Sequence, residues 1–354
     1  MKKLVFIIFI LLSTITSVNA LDTSHSSIVM DLKSGRILYE NNANEKRLIA
    51  STTKIMTAII TLENIELEKK IVVGEEVLKM YGTNIYIEVG EELKIKDILY
   101  GLLLRSGNDA AVVLANNVTN TEEEFITLMN EKAQELGMKD TIFENPHGLD
   151  EETQNYSTAH DMALLSKYAM KNKNYRKIVK TKKYTTKSEE KTYLWYNRNK
   201  LLTNYEFCTG GKNGYTPDAG KTLVTTASKN NLDLTIVTLD DPNEYETHKN
   251  LYEQMYSLYQ NYTIIDKNNF TIDKNIYNGD VYLKESFQYP LTEEETEKIK
   301  TEVYIKKNKE KKSTKIGNII IKLNNKKIGE LDIYEKTKKE EKKTLFQKIK
   351  ELFL

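Results

Sequence analysis

One cysteine and four histidines are all that 354 residues contain of the side chains that most often bridge, ligate metals or shuttle protons. A lone Cys208 excludes an internal disulfide framework. His25, His147, His160 and His248 form no HExxH pair, and the chain has neither a GxSxG elbow nor a GxxxxGK[ST] phosphate loop. A Ser-His-Asp hydrolase, a zinc hydrolase and a phosphate-loop enzyme are therefore unsupported. Each histidine is expected to be a hydrogen-bonded structural residue, and no metal or cofactor is called for. Charge of one sign is also lacking. Fifty-two basic and 51 acidic side chains leave +1, so no global positive field recommends nucleic acid as a partner. With 40% hydrophobic and 29% charged residues, the chain has the balance of a soluble globular protein.

What is present begins with residues 1–20, MKKLVFIIFILLSTITSVNA: a charged start, a short apolar core and a small-residue end. These are the three parts of a secretory signal, with an apolar core too short to span a bilayer. The expectation is an exported protein, acting at the outer face of the cytoplasmic membrane or in the cell wall. Residues 27–39 read as a strand hairpin around Lys33-Ser34-Gly35. A helix is expected to start near Ser51, because Ile55, Met56, Ile59, Ile60 and Leu62 recur at helical spacing. Further helices are expected over 95–104, 109–118, 122–136 and 159–170, then strands over 222–227 and 232–239, then a closing helix over 248–259. Strands at both ends with helices between suggest one antiparallel sheet with helices packed on it, an α+β domain over 21–260. Residues 261–335 turn to short alternating strands and read as a small all-β domain. In 336–354, Leu345, Phe346, Ile349, Leu352 and Phe353 share one helical face bordered by lysines. Such a tail suits the surface of an anionic membrane.

The chemistry is concentrated in Ser51-Thr52-Thr53-Lys54. Residues three apart share a helical face, so the Lys54 amine reaches the Ser51 hydroxyl. A serine hydroxyl needs an adjacent base, and an amine is a base only when neutral, which burial and neighbouring positive charge favour. Ser188 and Lys191 show the same spacing, but in a hydrophilic run expected to face solvent. Ser51 and Lys54 instead open an apolar helix. Downstream, Ser106 and Asn108 lie in a tight turn between two expected helices, and Lys212-Asn213-Gly214 begins the later strand pair. Each short motif recurs by chance, as in Ser228-Lys229-Asn230, Lys315-Ile316-Gly317 and Lys327-Ile328-Gly329. The ordered set is far more specific. Cys208, with no histidine near it in sequence, is expected to be a packed thiol.

Together with IASTTKIMTA (residues 49–58), LLLRSGNDAA (102–111), NPHGLD (145–150), YSTAHDMA (156–163) and TGGKNGYTPDAGKTLV (209–224), these motifs carry a resemblance. The chain resembles low-molecular-weight penicillin-binding proteins of the D-alanyl-D-alanine carboxypeptidase type, serine peptidase family S11. S-x-x-K with K-T-G is a known signature of penicillin-binding proteins. The resemblance implies a β-lactamase/DD-peptidase-like catalytic domain, a small all-β domain and an amphipathic C-terminal helix. It implies that Ser51 is acylated, that Lys54 is its base, and that Ser106 and Asn108 relay protons and hold the substrate amide. Lys212 would supply positive charge. Asn213, Gly214, Tyr215 and Thr216 would line the substrate strand, with the N–H groups of Ser51 and Tyr215 as oxyanion hole. The implied partners are the peptidoglycan stem peptide as substrate, β-lactams as inhibitors and the membrane surface.

Two positions depart from the family pattern. Asn213 stands where threonine is usual, and His248 stands about where many members carry a carboxylate-binding arginine. Both bear on recognition of the terminal carboxylate rather than on bond cleavage. Two rival readings share the Ser-Lys core: a class A-like β-lactamase, which needs an additional glutamate, and a non-catalytic, penicillin-binding wall sensor.

Overall fold

The structure, a computed structural model, describes residues 22–189, 191–305 and 314–336. The expected secretory signal, and all of the expected amphipathic tail but Lys336, lie outside the described residues. Among the described residues, no helix is long and apolar enough to cross a membrane. The chain divides into two compact units, residues 1–228 with 233–255, and residues 229–232 with 256–354.

The first unit is built on a five-stranded sheet in the order Ile37–Asn41, Ser26–Asp31, Leu232–Leu239, Gly220–Lys229, Cys208–Thr216. Its centre joins the two ends of the unit: Ser26–Asp31 pairs antiparallel with Leu232–Leu239, from Ser26 opposite Leu239 to Asp31 opposite Leu234. Ser26–Asp31 is buried along its whole length, which is why its middle reads as a continuous apolar run. Gly220–Lys229 and Leu232–Leu239 form a hairpin whose two turn residues, Asn230 and Asn231, both have positive φ (52° and 62°). That is the turn geometry matched to strand twist, and asparagine is among the residues that tolerate it. Cys208–Thr216 is the edge strand, so alternate N–H groups along it are not taken up by the sheet.

Helix Lys54–Asn64 runs through the core, with every residue from Lys54 to Thr61 buried. It packs with Asn108–Val118, Glu122–Glu135 and Ala159–Ala169. Two expected helices differ in detail, and both differences lie at the site. Ser51 sits in a 3-10 turn, Ala50–Thr53, and the α-helix starts only at Lys54. In a 3-10 turn residues i and i+3 eclipse, which aligns Ser51 with Lys54 more closely than an α-helix would. The run expected over 95–104 is α-helical only over Ile95–Tyr100; Gly101–Arg105 is a π-helical turn that ends on Ser106 at φ 68°, ψ 35°.

A loop from residues 145–150 fixes the Ser51 turn from outside. Pro146 O accepts from Thr57 Oγ1 (2.6 Å), and Asn155 Nδ2 donates both to Thr53 Oγ1 (2.9 Å) and to Asn145 O (3.0 Å). Gly148, at φ 85°, lies so close that a Cβ there would stand 2.0 Å from Ala50 O and 3.0 Å from Ser51 N. Ala50 itself is left-handed, at φ 46°. The backbone ahead of Ser51 is thus strained and held by its neighbours.

The second unit contains a four-stranded antiparallel sheet, ordered Val281–Leu283, Lys326–Glu335, Lys315–Leu323, Ile299–Ile305, and a two-stranded sheet of Gln260–Ile265 with Phe287–Leu291. Leu283, Ile316, Ile319, Ile321, Leu331 and Ile333 form its core. Among the described residues from 260 onward, its regular structure is β apart from one helical turn, Glu293–Thr296.

Gly148→Ala is expected to cost about 2–4 kcal/mol, through the unfavourable φ and the clash with the Ala50 carbonyl. A thermal melt checks this; an unchanged midpoint would show that the loop does not constrain the Ser51 turn.

Candidate active site

Three chain segments meet at the Lys54 amine, which is fully buried. Lys54 Nζ lies 3.0 Å from Ser51 Oγ, 2.8 Å from Asn108 Oδ1 and 2.5 Å from the His147 carbonyl oxygen. The Asn108 amide cannot be turned round. Its Nδ2 donates to Tyr81 O at 2.7 Å, an oxygen that only accepts, so Oδ1 faces Lys54. The Lys54 neighbours at Asn108 and His147 are therefore both acceptors without a proton to give.

Burial and the positive charge of Lys212 push the Lys54 amine well below its usual range, with Arg198 adding to the effect and Asp109 opposing it. A neutral amine has two N–H bonds and one lone pair. The two N–H bonds are taken by Asn108 Oδ1 and His147 O, and the lone pair is left for the Ser51 hydroxyl. The arrangement can remove the Ser51 proton without first losing one of its own.

Lys212 is buried too, on the edge strand. Burial first, then Arg198, lowers its amine to about 7. Its Nζ donates to Asn213 O (2.5 Å). Next along the strand, Gly214 presses against the nucleophile turn: a Cβ there would stand 2.8 Å from Ser51 N and 2.5 Å from Thr222 Oγ1. Thr216 Oγ1 donates to Asp150 Oδ2 (2.5 Å) and accepts from Ala219 N. Its hydroxyl proton is committed within the protein. Asn213 is half-buried, and the Tyr215 side chain is exposed. Ser106, buried on its left-handed turn, follows directly on the π-helical turn. π-Bulges inside helices are frequent at functional sites.

The other sequence candidates fall away from this cluster. Ser188 and Lys191, expected to face solvent, are half-buried and engaged instead. Ser188 donates to Glu91 (2.5 Å), and Lys191 pairs with Glu88 (2.7 Å) and donates to Tyr86 O. His248 is a hydrogen-bonded structural residue, as expected of each histidine, and does not take the place the family pattern gives to a carboxylate-binding arginine. It is completely buried, within hydrogen-bond distance of Thr225 Oγ1 (2.7 Å, at Nδ1) and Thr238 Oγ1 (3.1 Å, at Nε2). Thr222 faces the Ser51 turn, donating to Ile49 O, and Thr225 is three residues on, so it points to the opposite face of the sheet. His248 is thus behind the sheet and takes no part in the carboxylate site. Cys208 is buried, and burial raises its thiol, as expected for a packed residue.

Three contributors escaped the sequence reading. The His147 carbonyl is a backbone group without a side-chain signature, although the turn-dense NPHGLD run could have marked its loop. Arg198 is exposed, with Nη1 donating to Thr83 Oγ1 (3.2 Å), and its charge acts on both Lys54 and Lys212. Asp109, at the start of helix Asn108–Val118, accepts from the N–H groups of Ile85, Tyr86 and Ala110 and so anchors the segment beside Asn108.

Asn108→Asp is expected to place a carboxylate beside Lys54, raise its proton affinity and occupy the lone pair at neutral pH. Acylation by benzylpenicillin at pH 7 is expected to fall by about 100-fold or more and to recover as the pH is raised. Wild-type acylation at pH 7 would contradict the proton assignment.

Known proteins share this organisation. The D-alanyl-D-alanine carboxypeptidase profile of peptidase family S11 matches residues 14–243, and that of the penicillin-binding protein 5 C-terminal domain matches 259–341. D-alanyl-D-alanine carboxypeptidase DacF of Bacillus subtilis is 38% identical over 213 residues, covering 58% of this chain and 54% of its own. D-alanyl-D-alanine carboxypeptidase DacC of Escherichia coli is 36% identical over 226 residues, covering 60% of this chain and 55% of its own. The chain thus spans about half the length of these curated relatives. The crystal structure of penicillin binding protein 5 from Haemophilus influenzae superposes with a TM-score of 0.73 at 25% identity, covering 89% of this chain and 96% of that one. The α+β catalytic unit followed by an all-β unit is the architecture of that neighbour. On these matches the chain belongs to the D-alanyl-D-alanine carboxypeptidase family of serine peptidases, S11.

Proposed function

We propose that the chain is a serine-type D-Ala-D-Ala carboxypeptidase that removes the terminal D-alanine from peptidoglycan stem peptides. The observation that carries this is the buried Lys54 amine, 2.8 and 2.5 Å from the acceptors Asn108 Oδ1 and His147 O and 3.0 Å from Ser51 Oγ. In the proposed reaction Lys54 takes the Ser51 proton as Oγ attacks the carbonyl carbon of the penultimate residue. The N–H groups of Ser51 and Tyr215 receive the developing oxyanion. The proton passes, with Ser106 as relay, to the nitrogen of the departing D-alanine, the C–N bond breaks, and an ester remains on Ser51. Water, deprotonated by the same amine, then attacks the ester; the acyl C–O bond breaks, and the amine returns the proton to Ser51 Oγ. Asn108 holds the base and presents the substrate amide.

Terminal-carboxylate recognition falls to Lys212 as the cation, with the Asn213 amide on the adjoining strand position. Thr216 is oriented by Asp150 and positions that end of the strand. A β-lactam presents a similar acyl group and acylates Ser51. The β-lactamase alternative requires a carboxylate free to activate water. Asp109 and Asp150, two acids near the site, are instead committed to backbone N–H groups and to Thr216. Such a substrate lies outside the cytoplasmic membrane, in line with the export pattern of residues 1–20 and the amphipathic pattern of residues 336–354.

Benzylpenicillin is expected to add to the Ser51 peptide in mass spectrometry, and Ser51→Ala to abolish the adduct. An adduct on Ser188 would overturn the assignment; an adduct on Ser51 without D-alanine release from a D-Ala-D-Ala peptide would favour the sensor reading. Because Lys212 loses its charge as pH rises through about 7 in the free protein, kcat/KM for the anionic peptide is expected to decline above that pH. A flat profile to pH 10 would exclude Lys212 as the cation.

A further inference from the structure

A chain with net charge +1 carries nine basic side chains and no acidic one between residues 167 and 187. The fold gathers part of this block around a groove of about 560 Å³, on the first unit, lined by Lys33, Lys167, Lys171, Arg176, Lys177 and Lys180. One carboxylate, Asp233, also lines it and accepts from Ser228 Oγ. Helix Lys173–Lys180 forms one wall. It buries Tyr175, Ile178 and Val179, and so turns its lysines outward. Lys173, Lys177 and Lys180 follow at i, i+4 and i+7, a ridge of cations spaced roughly 5–6 Å apart.

Several lysines elsewhere on this unit have acidic partners: Lys94 and Lys96 share Glu68, Lys132 holds Glu63 and Glu135, and Lys191 holds Glu88. No ion pair or side-chain hydrogen bond is made by Lys171, Lys177 or Lys180 among the described residues. Arg176 is turned to the Met170 and Lys171 carbonyls, at 2.5 and 3.2 Å. What remains is a row of lysine point charges without a planar fork, which suits singly charged anions repeated along a chain rather than one bidentate carboxylate. The concave shape suits a strand more than a flat bilayer. The lining includes no aromatic side chain on which a base could stack. We propose that this groove binds a linear phosphodiester polymer without bases. The groove lies outside the Ser51 cluster, so the inference stands or falls independently of the hydrolase reading.

Fluorescently labelled poly(glycerol phosphate), titrated against the full chain at 50 and 200 mM salt, tests this. Three neutralised phosphates, at a slope of roughly −0.7 each, give a roughly twentyfold weakening between the two salts. The variant K171Q/K177Q/K180Q is expected to weaken binding at 50 mM salt by about tenfold or more. K298Q/K300Q/K326Q, with the same loss of charge in the second unit, is expected to leave it unchanged, and both variants to keep wild-type penicillin acylation. Wild-type polymer binding by the groove variant, or equal loss in both variants, overturns the proposal. So does a groove variant that loses phosphatidylglycerol-vesicle binding while retaining the polymer, since the face would then be a membrane contact.

Discussion

Two buried amines act on one another at this site, and the charge of one disfavours the charge of the other. Lys54 and Lys212 are both buried, and the charge of Lys212 depresses Lys54. An isolated buried ammonium costs several kcal/mol even after relaxation, and a second of like sign costs more. The pair resolves the conflict by dividing roles: Lys54, depressed by burial and by the Lys212 charge, serves as the base, and Lys212 keeps its proton up to about pH 7. A base and a cation thus arise from the same residue type through placement alone. The linkage has a cost in stability. The unfolded chain binds protons at both lysines up to their ordinary range, whereas the folded chain releases them at lower pH, so this part of the stability grows as pH rises toward 10.5 and falls as pH drops, levelling off only below the folded values of the two amines.

Everything around the pair limits motion. The 3-10 turn aligns Ser51 over Lys54, the left-handed Ala50 is held by Gly148, and the edge strand closes on Ser51 at Gly214. The π-helical turn gives Ser106 its unusual backbone, and Asn108 is locked by Tyr81 O. Strained residues concentrated here fit a site whose geometry is set before substrate arrives.

Much of this was legible because it was written in side chains with a fixed period. Ser51 and Lys54 are three apart ahead of an apolar stripe, and the strands around 222–239 carry β-branched runs. The turn at Ser106 was legible as punctuation, but not as a π-turn, since that needs packing the local sequence does not encode. The His147 carbonyl and Arg198 were invisible for different reasons, one being backbone and the other standing in a stretch without a motif. His248 misled because its neighbourhood pointed to the site. Its helix face did not: Thr247, His248, Leu251, Tyr252 and Met255 form the buried stripe of Glu244–Leu258, which fixes the histidine behind the sheet. Ser188 and Lys191 show the reverse case, with the correct spacing but acids within reach.

The claim on which the account turns is that Lys54 is uncharged in the resting protein. Selective carbon-13 labelling at lysine Cε, with the Lys54 signal assigned by Lys54→Arg, reads that charge directly through its chemical shift. The account predicts that Lys54 is already deprotonated at neutral pH, far below the ordinary lysine range, while surface lysines stay protonated. A Lys54 signal that remains protonated until about pH 10.5, as an ordinary lysine does, would contradict it.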